Sequence, residues 1–250
     1  MKGSIVAIVT PMLENGEVDF DSFKKLLSFH EENNTDGIVL VGTTGESATL
    51  SANEREEIFK FAVAETEIPL MAGVGSSSTK EACRLVEIAA KSGITECLAV
   101  TPYYNKPSQT GLELHFTELA NTQSMITLYN VPSRTGVDLL PATTKKLIQI
   151  ENIVGIKEAL NSNERLEELA DLKRLQPEFN LLSGDDPTFV DFMKIGADGV
   201  ISVAANIIPK QIKELTDLCL NGQYSVALDK NQSYTNSVSY THLRAHETSL

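Results

Sequence analysis

Short apolar, β-branched runs alternate with amphipathic stretches along most of this chain, in a regular beat. The runs 4–10, 37–41, 69–74, 97–101, 125–130, 153–158, 180–183 and 199–203 read as eight strands. Helical spacing fills the gaps. Phe23, Leu26, Leu27 and His30 share one face, as do Ile58, Phe59, Ala62 and Val63, and as do Ala82, Leu85, Val86 and Ala89. Later helices follow Gly111, Pro141, Asn163, Pro187 and Pro209. Ser51 with Glu54 three residues on predicts a capping box, and Asp186 before Pro187 predicts an N-cap with proline in the first turn.

Runs such as Ile38-Val39-Leu40-Val41 have no polar alternate, the habit of parallel strands covered by helices on both faces. Eight βα units predict an α/β fold of the closed (β/α)8 TIM-barrel type. An open doubly wound sheet is the alternative, since Gly73-Val74-Gly75 follows a strand. That pair lacks the third glycine and the downstream acidic residue of a dinucleotide site, so the two glycines read as turning the chain.

The barrel is expected over residues 1–222. A further helix starts in 223–236, with Val226 and Leu228 as its apolar positions. The stretch 237–250, SVSYTHLRAHETSL, shows neither period and holds two of the four histidines, His242 and His246. It resembles the translated read-through of a sequencing adapter and is expected to be a non-native tail, outside the fold.

Composition narrows the function. Of 250 residues, 21 are Lys or Arg and 34 Asp or Glu, a net charge of -13. That balance offers no footprint for phosphate backbones or anionic lipid, so neither nucleic acid nor a membrane is an expected partner. No apolar run approaches the ~20 residues of a membrane span, and the opening residues read as a strand, not a signal peptide. Cys83, Cys97 and Cys219 form no CxxC or Cys/His ligand spacing. They read as buried thiols of a reducing cytoplasm, the expected location, with no metal implied.

In a barrel of this kind, chemistry sits at the C-terminal strand ends. Strand two ends in Gly42-Thr43-Thr44-Gly45-Glu46, strand four in Tyr103-Tyr104-Asn105 and strand five in Tyr129-Asn130-Val131-Pro132-Ser133-Arg134. Strand six places Lys157 inside the apolar run Ile153-Val154-Gly155-Ile156-Lys157-Glu158. Lys157 is either a strand-end residue paired with Glu158 or a buried amine. Period-two alternation favours the second: if Ile156 faces the helices, Lys157 faces the barrel interior. A buried ammonium loses hydration, its pKa falls, and the free amine is a nucleophile toward carbonyls. The tyrosines either fill the barrel mouth or, with Thr43 and Thr44, relay protons. Arg134 is either a surface charge or a carboxylate clamp. Asp185 and Asp186 read as helix-capping residues rather than a catalytic pair, and an acidic loop there disfavours a phosphate site. His115 reads as a structural residue.

Four motifs are more specific: Gly42-Thr43-Thr44-Gly45-Glu46-Ser47, Tyr103-Tyr104-Asn105-Lys106-Pro107, Tyr129 through Gly136, and Gly155-Ile156-Lys157-Glu158-Ala159. Together they resemble the dihydrodipicolinate synthase family of the class I pyruvate aldolase superfamily. The likeness runs from Ser4 to about Asn231. It implies a lyase that condenses pyruvate with L-aspartate 4-semialdehyde in lysine and diaminopimelate biosynthesis, through a covalent imine on Lys157 and with no cofactor. By that resemblance Tyr129, Thr43 and Tyr104 form a hydroxyl relay. Thr43 and Thr44 hold the pyruvate carboxylate, Arg134 binds the semialdehyde carboxylate, and Gly184 and Ile201 complete the substrate site. The family's Tyr104 equivalent reaches a neighbouring subunit's site, which implies a homo-oligomer, a dimer of dimers. An effector pocket for lysine would map to Ser47, Ala48, Ala52, Arg55, Ser77, Glu81 and Tyr103. Ala52, Arg55 and Ser77 replace residues of lysine-sensitive members, which implies weak or absent inhibition. The family continues past the barrel into a C-terminal helical domain, largely missing here. The rival readings are a sibling lyase or aldolase acting on N-acetylneuraminate or 2-keto-3-deoxy sugar acids, which lacks the Arg134 clamp, and an inactive pyruvate-binding barrel.

Overall fold

The computed structural model describes residues 1–122 and 124–244, with side chains through residue 234. Eight parallel strands close into a barrel in sequence order: β1 (Gly3–Ala7), β2 (Gly37–Leu40), β3 (Leu70–Gly73), β4 (Glu96–Val100), β5 (Met125–Asn130), β6 (Ile153–Glu158), β7 (Asn180–Ser183) and β8 (Gly199–Ser202). β8 pairs with β1, placing Gly3 opposite Gly199 and Ile5 opposite Ile201. Closure leaves no sheet edge, so the ladder satisfies the backbone at every strand. The open-sheet alternative is thereby removed.

Helices α1 (Phe20–Glu32), α2 (Ala52–Glu65), α3 (Thr79–Lys91), α4 (Gln109–Ala120), α5 (Pro132–Thr135), α6 (Pro141–Leu147), α7 (Asn163–Leu175), α8 (Phe189–Lys194), α9 (Pro209–Leu220) and α10 (Tyr224–Arg244) follow. Strand alternation divides the core in two. Ile5, Ala7, Val39, Met71, Leu98, Tyr129, Leu182 and Ile201 pack inside the barrel. Val6, Ile38, Leu40, Ile126, Leu128, Ile156 and Leu181 face outward and meet Phe23, Phe59, Phe116, Phe189 and Phe192 of the helices. Each of those fully buried phenylalanines contributes about 2–3 kcal/mol of transfer free energy.

Local chemistry sets the helix starts. The Ser51–Glu54 capping box forms as predicted, with Ser51 N–H donating to Glu54 Oε2 at 2.7 Å. Ser108 caps α4, accepting from Gly111 N–H at 3.2 Å, so that helix begins ahead of the predicted Gly111. Val63, which helical spacing places on the face of Ile58, Phe59 and Ala62, is 42% exposed at the edge of that face. Cys97 and Cys219 are buried as expected, whereas Cys83 is only half-buried. Asp186 does not cap a helix at Pro187. α8 starts at Phe189 with no side-chain cap, and Asp186 Oδ2 instead accepts from Val203 and Ala204 N–H, both at 3.0 Å. Two free backbone donors in the turn after β8 make a better partner for a buried carboxylate than a solvated helix end.

Helix α10 is continuous across the boundary expected at residue 236, so the backbone does not mark where the foreign-looking stretch begins; 245–250 lie outside the described residues. Among the described residues no helix is long and apolar enough to cross a membrane.

His30 and His115 are buried, each with Nδ1 against a threonine hydroxyl: Thr35 at 3.0 Å and Thr79 at 2.9 Å. Burial pulls both imidazoles down to about 4 from an ordinary 6.5. Their neutral forms are the folded forms, so this part of the stability is complete above pH 6.5 and is lost as pH falls toward 4, by about 3 kcal/mol for each ring. We expect His115→Gln, which keeps a polar partner for Thr79 but takes up no proton, to lose less thermal midpoint between pH 7 and pH 4 than the parent. Melting curves across that range check it.

Candidate active site

The C-terminal mouth of the barrel holds a cavity of about 200 Å³. Its wall brings together Thr43 and Thr44 after β2, Tyr129 on β5, Arg134 on α5, Lys157 on β6, and Gly184 with Asp185 after β7. Of the residues predicted for the site, Thr43, Thr44, Tyr129, Arg134, Lys157 and Gly184 therefore converge. Ile201 does not reach the wall. It faces the inner core beside Leu182 and Tyr129, and Val203, two residues on, lines the cavity instead. Tyr104 is also outside the cavity of its own chain, with 93% of its surface exposed.

Lys157 is 5% exposed and its Nζ lies over the Tyr129 ring, 4.2 Å from the centroid. Glu158 does not pair with it. Alternation sends the glutamate to the opposite face, where it meets Arg165. Burial pulls the Lys157 amine down to about 8 from 10.5; the Asp186 carboxylate opposes this fall and Arg134 reinforces it. The displacement corresponds to about 3 kcal/mol, more than the ~0.5–2 kcal/mol by which a ring face steadies a cation, so desolvation decides the outcome. Roughly a tenth of the amine is then neutral at pH 7, against about 0.03% for an ordinary lysine.

Tyr129 moves the other way. Burial raises its phenol to about 12, opposed by Arg134 and assisted by Glu158 and Asp185. It stays protonated beside the amine, as a hydrogen-bond and proton donor.

Space for the lysine comes from a glycine. A Cβ on Gly184 would stand 3.0 Å from Lys157 Cε and 3.1 Å from Glu158 O. Thr43 and Thr44 are aimed by backbone strain, since Val41 adopts φ 52°, a left-handed geometry rare for a β-branched residue. Its carbonyl enters space that any Cβ on Gly73 would fill, at 2.2 Å. Gly73 thus permits close approach and does not turn the chain, as the sequence alone suggested. Asp185 was read only as a capping residue. Its Oδ2 does accept from Thr188 Oγ1 at 2.7 Å, but the residue also lines the cavity, which no periodicity reveals in an irregular loop.

The arrangement is a buried, partly neutral primary amine beside a phenol, two threonines and a guanidinium. It fits covalent chemistry on the carbonyl of a carboxylate-bearing molecule. No group of three or more His, Cys, Asp or Glu is placed to hold a metal among the described residues.

The model of the dihydrodipicolinate synthetase family matches residues 1–245. The chain belongs to this family. A 4-hydroxy-tetrahydrodipicolinate synthase from Buchnera aphidicola subsp. Schizaphis graminum is 48% identical over 234 residues, spanning 92% of this chain and 79% of the relative. The crystal structure of dihydrodipicolinate synthase from Aquifex aeolicus superposes with a TM-score of 0.91 at 40% identity, covering 96% of this chain and 82% of that one. The chloride-inhibited dihydrodipicolinate synthase from Acinetobacter baumannii, crystallised with pyruvate, gives a TM-score of 0.88 at 44% identity over 94% of this chain and 81% of that one.

Of the positions that family resemblance assigns to an effector, Ser47 lines the mouth cavity. Arg55 is buried and donates Nη2 to Ser47 O and Nε to Leu50 O at 3.4 Å; burial pulls its pKa below the ordinary arginine value, opposed by Tyr103 and Glu81. Ser77 O accepts from Asn105 Nδ2 at 2.9 Å. Ala48 is exposed and Ala52 half-buried.

The site predicts its own titration. Competitive acetylation followed by peptide mass analysis should give Lys157 an apparent pKa near 8, against 10.5 for a reference lysine peptide. A value near 10.5 would show the amine to be hydrated.

Proposed function

We propose that the protein condenses pyruvate with L-aspartate 4-semialdehyde to 4-hydroxy-tetrahydrodipicolinate, in lysine and diaminopimelate biosynthesis. The observation that carries this reading is the buried Lys157 amine over Tyr129, in one cavity with Thr43, Thr44 and Arg134. The family and the printed activity of relatives such as the Buchnera enzyme agree with it.

Neutral Lys157 attacks the pyruvate ketone, and loss of water gives a protonated imine. That imine is the electron sink: a methyl proton leaves and the electron pair forms an enamine, a step that requires no cofactor or metal. The enamine carbon attacks the aldehyde, the amine of the second substrate displaces lysine, and the product cyclises. Tyr129 and Thr43 hand protons between the buried nitrogen and solvent. Thr43 and Thr44 hold the pyruvate carboxylate, with Gly184 leaving room for the lysine, and Arg134 takes the carboxylate of the semialdehyde. Arg134 favours this reading over sibling aldolases of polyol substrates.

Tyr104 supports a homo-oligomer, a dimer of dimers, as the active form. It holds φ 74° with its ring in solvent, a conformation that costs about 1–3 kcal/mol and brings nothing within one chain. A neighbouring subunit that receives the ring would complete the hydroxyl relay. Cytoplasmic residence fits three thiols free of disulfides and a biosynthetic role. Arg55, a guanidinium already engaged with Ser47 and Leu50, occupies the would-be effector pocket and supports weak lysine inhibition at most.

Borohydride reduction in the presence of pyruvate should add the reduced pyruvyl group to Lys157 alone, by peptide mass. Added aspartate semialdehyde should then turn over in a coupled reductase assay. Lys157→Ala should abolish the adduct and lower turnover by about 1,000-fold or more. Tyr129→Phe should cost about 100-fold in kcat, and Arg134→Ala should raise the KM of the semialdehyde about ten- to hundredfold. Folded protein without an adduct overturns every imine mechanism; an adduct without semialdehyde turnover leaves a sibling aldolase or an inert barrel.

A further inference from the structure

Behind the two reactive residues lies a second buried polar cluster that the imine chemistry does not use. Tyr129 and Lys157 are register partners on β5 and β6, and so are the next residues along, Asn130 and Glu158. Alternation sends the first pair into the cavity and the second to the opposite face of the barrel wall. Asn130 and Glu158 are both 0% exposed.

The hydrogen bonds of this cluster are dense. Asn130 Nδ2 donates to Glu158 Oε1 and Oε2 at 3.1 and 3.0 Å and to Asp138 Oδ1 at 2.7 Å. Asn130 Oδ1 accepts from Leu139 N–H at 2.9 Å. Glu158 Oε1 accepts from Leu160 N–H at 2.9 Å. Arg165, on the first turn of α7, lies 3.6 Å from Glu158 Oε2 and 2.5 Å from Asp138 Oδ2, and donates to Leu139 O at 3.2 Å.

What the cluster joins is more telling than its strength. The loop that carries Arg134 leaves the barrel at Val131, directly after Asn130, and returns through Asp138 and Leu139, both held by the Asn130 side chain. One amide therefore closes the base of that loop and ties it to Glu158, the neighbour of Lys157. Inside the loop, the one proton of the Thr135 hydroxyl has Val137 O at 3.0 Å and Val131 O at 3.3 Å as acceptors, which braces the loop from within. An apolar filling of equal volume would pack the same space without fixing a direction.

We propose that Asn130, Asp138, Glu158 and Arg165 are positioning residues of the reaction, holding the Arg134 loop in fixed register with Lys157 and Tyr129. The proposal rests on the reading of Lys157 as the imine former and Arg134 as the carboxylate clamp. The network works through Arg134 for the second substrate, and through the dryness of the β5–β6 junction for the amine. It also acts electrically. Burial, assisted by Asp138, raises Glu158 to about 7 against its hydrogen bonds to Leu160 and Asn130 and the charge of Arg165, and the glutamate in turn raises the Tyr129 phenol.

The test compares Asn130→Ala, Asp138→Ala and Asp138→Asn with the parent, each in the assembled protein, scoring both KM values, kcat and the acetylation pKa of Lys157. Asn130→Ala and Asp138→Ala should raise the semialdehyde KM about tenfold, change the pyruvate KM less than about threefold, and move the lysine pKa up from about 8. Asp138→Asn keeps an acceptor for Asn130 and should recover most of the KM that Asp138→Ala loses, a rescue that mere loss of stability does not produce. Folded variants with both KM values and kcat within about twofold of the parent and the lysine pKa unmoved, or a drop in melting temperature as the sole change, overturn the proposal. If Asn130→Ala does not fold, the Asp138 pair decides. If the parent yields no borohydride adduct, the imine reading fails by itself, and the substrate-free acetylation pKa still decides whether the network controls the amine.

Discussion

A buried amine with no ion-pair partner among the described residues is the constraint on which this structure turns. Full hydration would restore the ammonium, and so would a nearby anion within ion-pairing distance. Burial in the barrel limits the first, and the placement of the neighbouring carboxylates limits the second. The barrel's closed ladder pairs every strand with two neighbours, and Glu158 is turned to the outer face and engaged there. Even Asp186, whose charge pulls against deprotonation of Lys157, is held by two backbone N–H groups of the turn after β8.

The rest of the site follows from accommodating that amine. Gly184 leaves the volume that Lys157 fills. Tyr129 covers the amine with a ring that a dry environment keeps protonated. Strain appears where the chain must bring hydroxyls to the same point: Val41 is left-handed just before Thr43 and Thr44, and Gly73 yields the space its carbonyl takes. Tyr104 is strained as well, yet its ring leaves the chain's own cavity. Strain in the first case helps build the cavity, and in the second it turns a tyrosine out into solvent.

Features with a period were legible from the residues. Five of the strand predictions differ from the observed ends by one to three residues, and β5, β6 and β7 coincide with theirs. Lys157 was placed inward by the same period-two argument that put Ile156 on the helices, and Ile156 does lie in the outer core. Features without a period were not legible. Asp186 resembles an N-cap in sequence because Pro187 follows it, but its partners are 17 and 18 residues away on the neighbouring strand end. Asp185 has the same difficulty, and Ile201 a related one: its period is right but its depth is not, since a residue two positions nearer the mouth reaches the cavity. The Asn130 network joins residues from two strands, a loop and a helix, and only the register of β5 against β6 brings them together.

Register also reconciles the charge of the chain with the charge of its substrates. A protein of net charge -13 repels anions at long range, and both substrates carry a carboxylate. Salt at physiological strength screens that field beyond about 8 Å, so the decision is made inside the mouth. There Lys157 keeps its charge in about nine-tenths of molecules at pH 7, yet burial already works against that charge. Arg134 is the cation on the cavity wall that the proposed imine chemistry would leave for a carboxylate, and it stands on the four-residue helix α5 over a loop whose base is one asparagine. On the proposed reading, anion recognition at this mouth therefore depends less on how many positive charges the chain carries than on how firmly Arg134 is held.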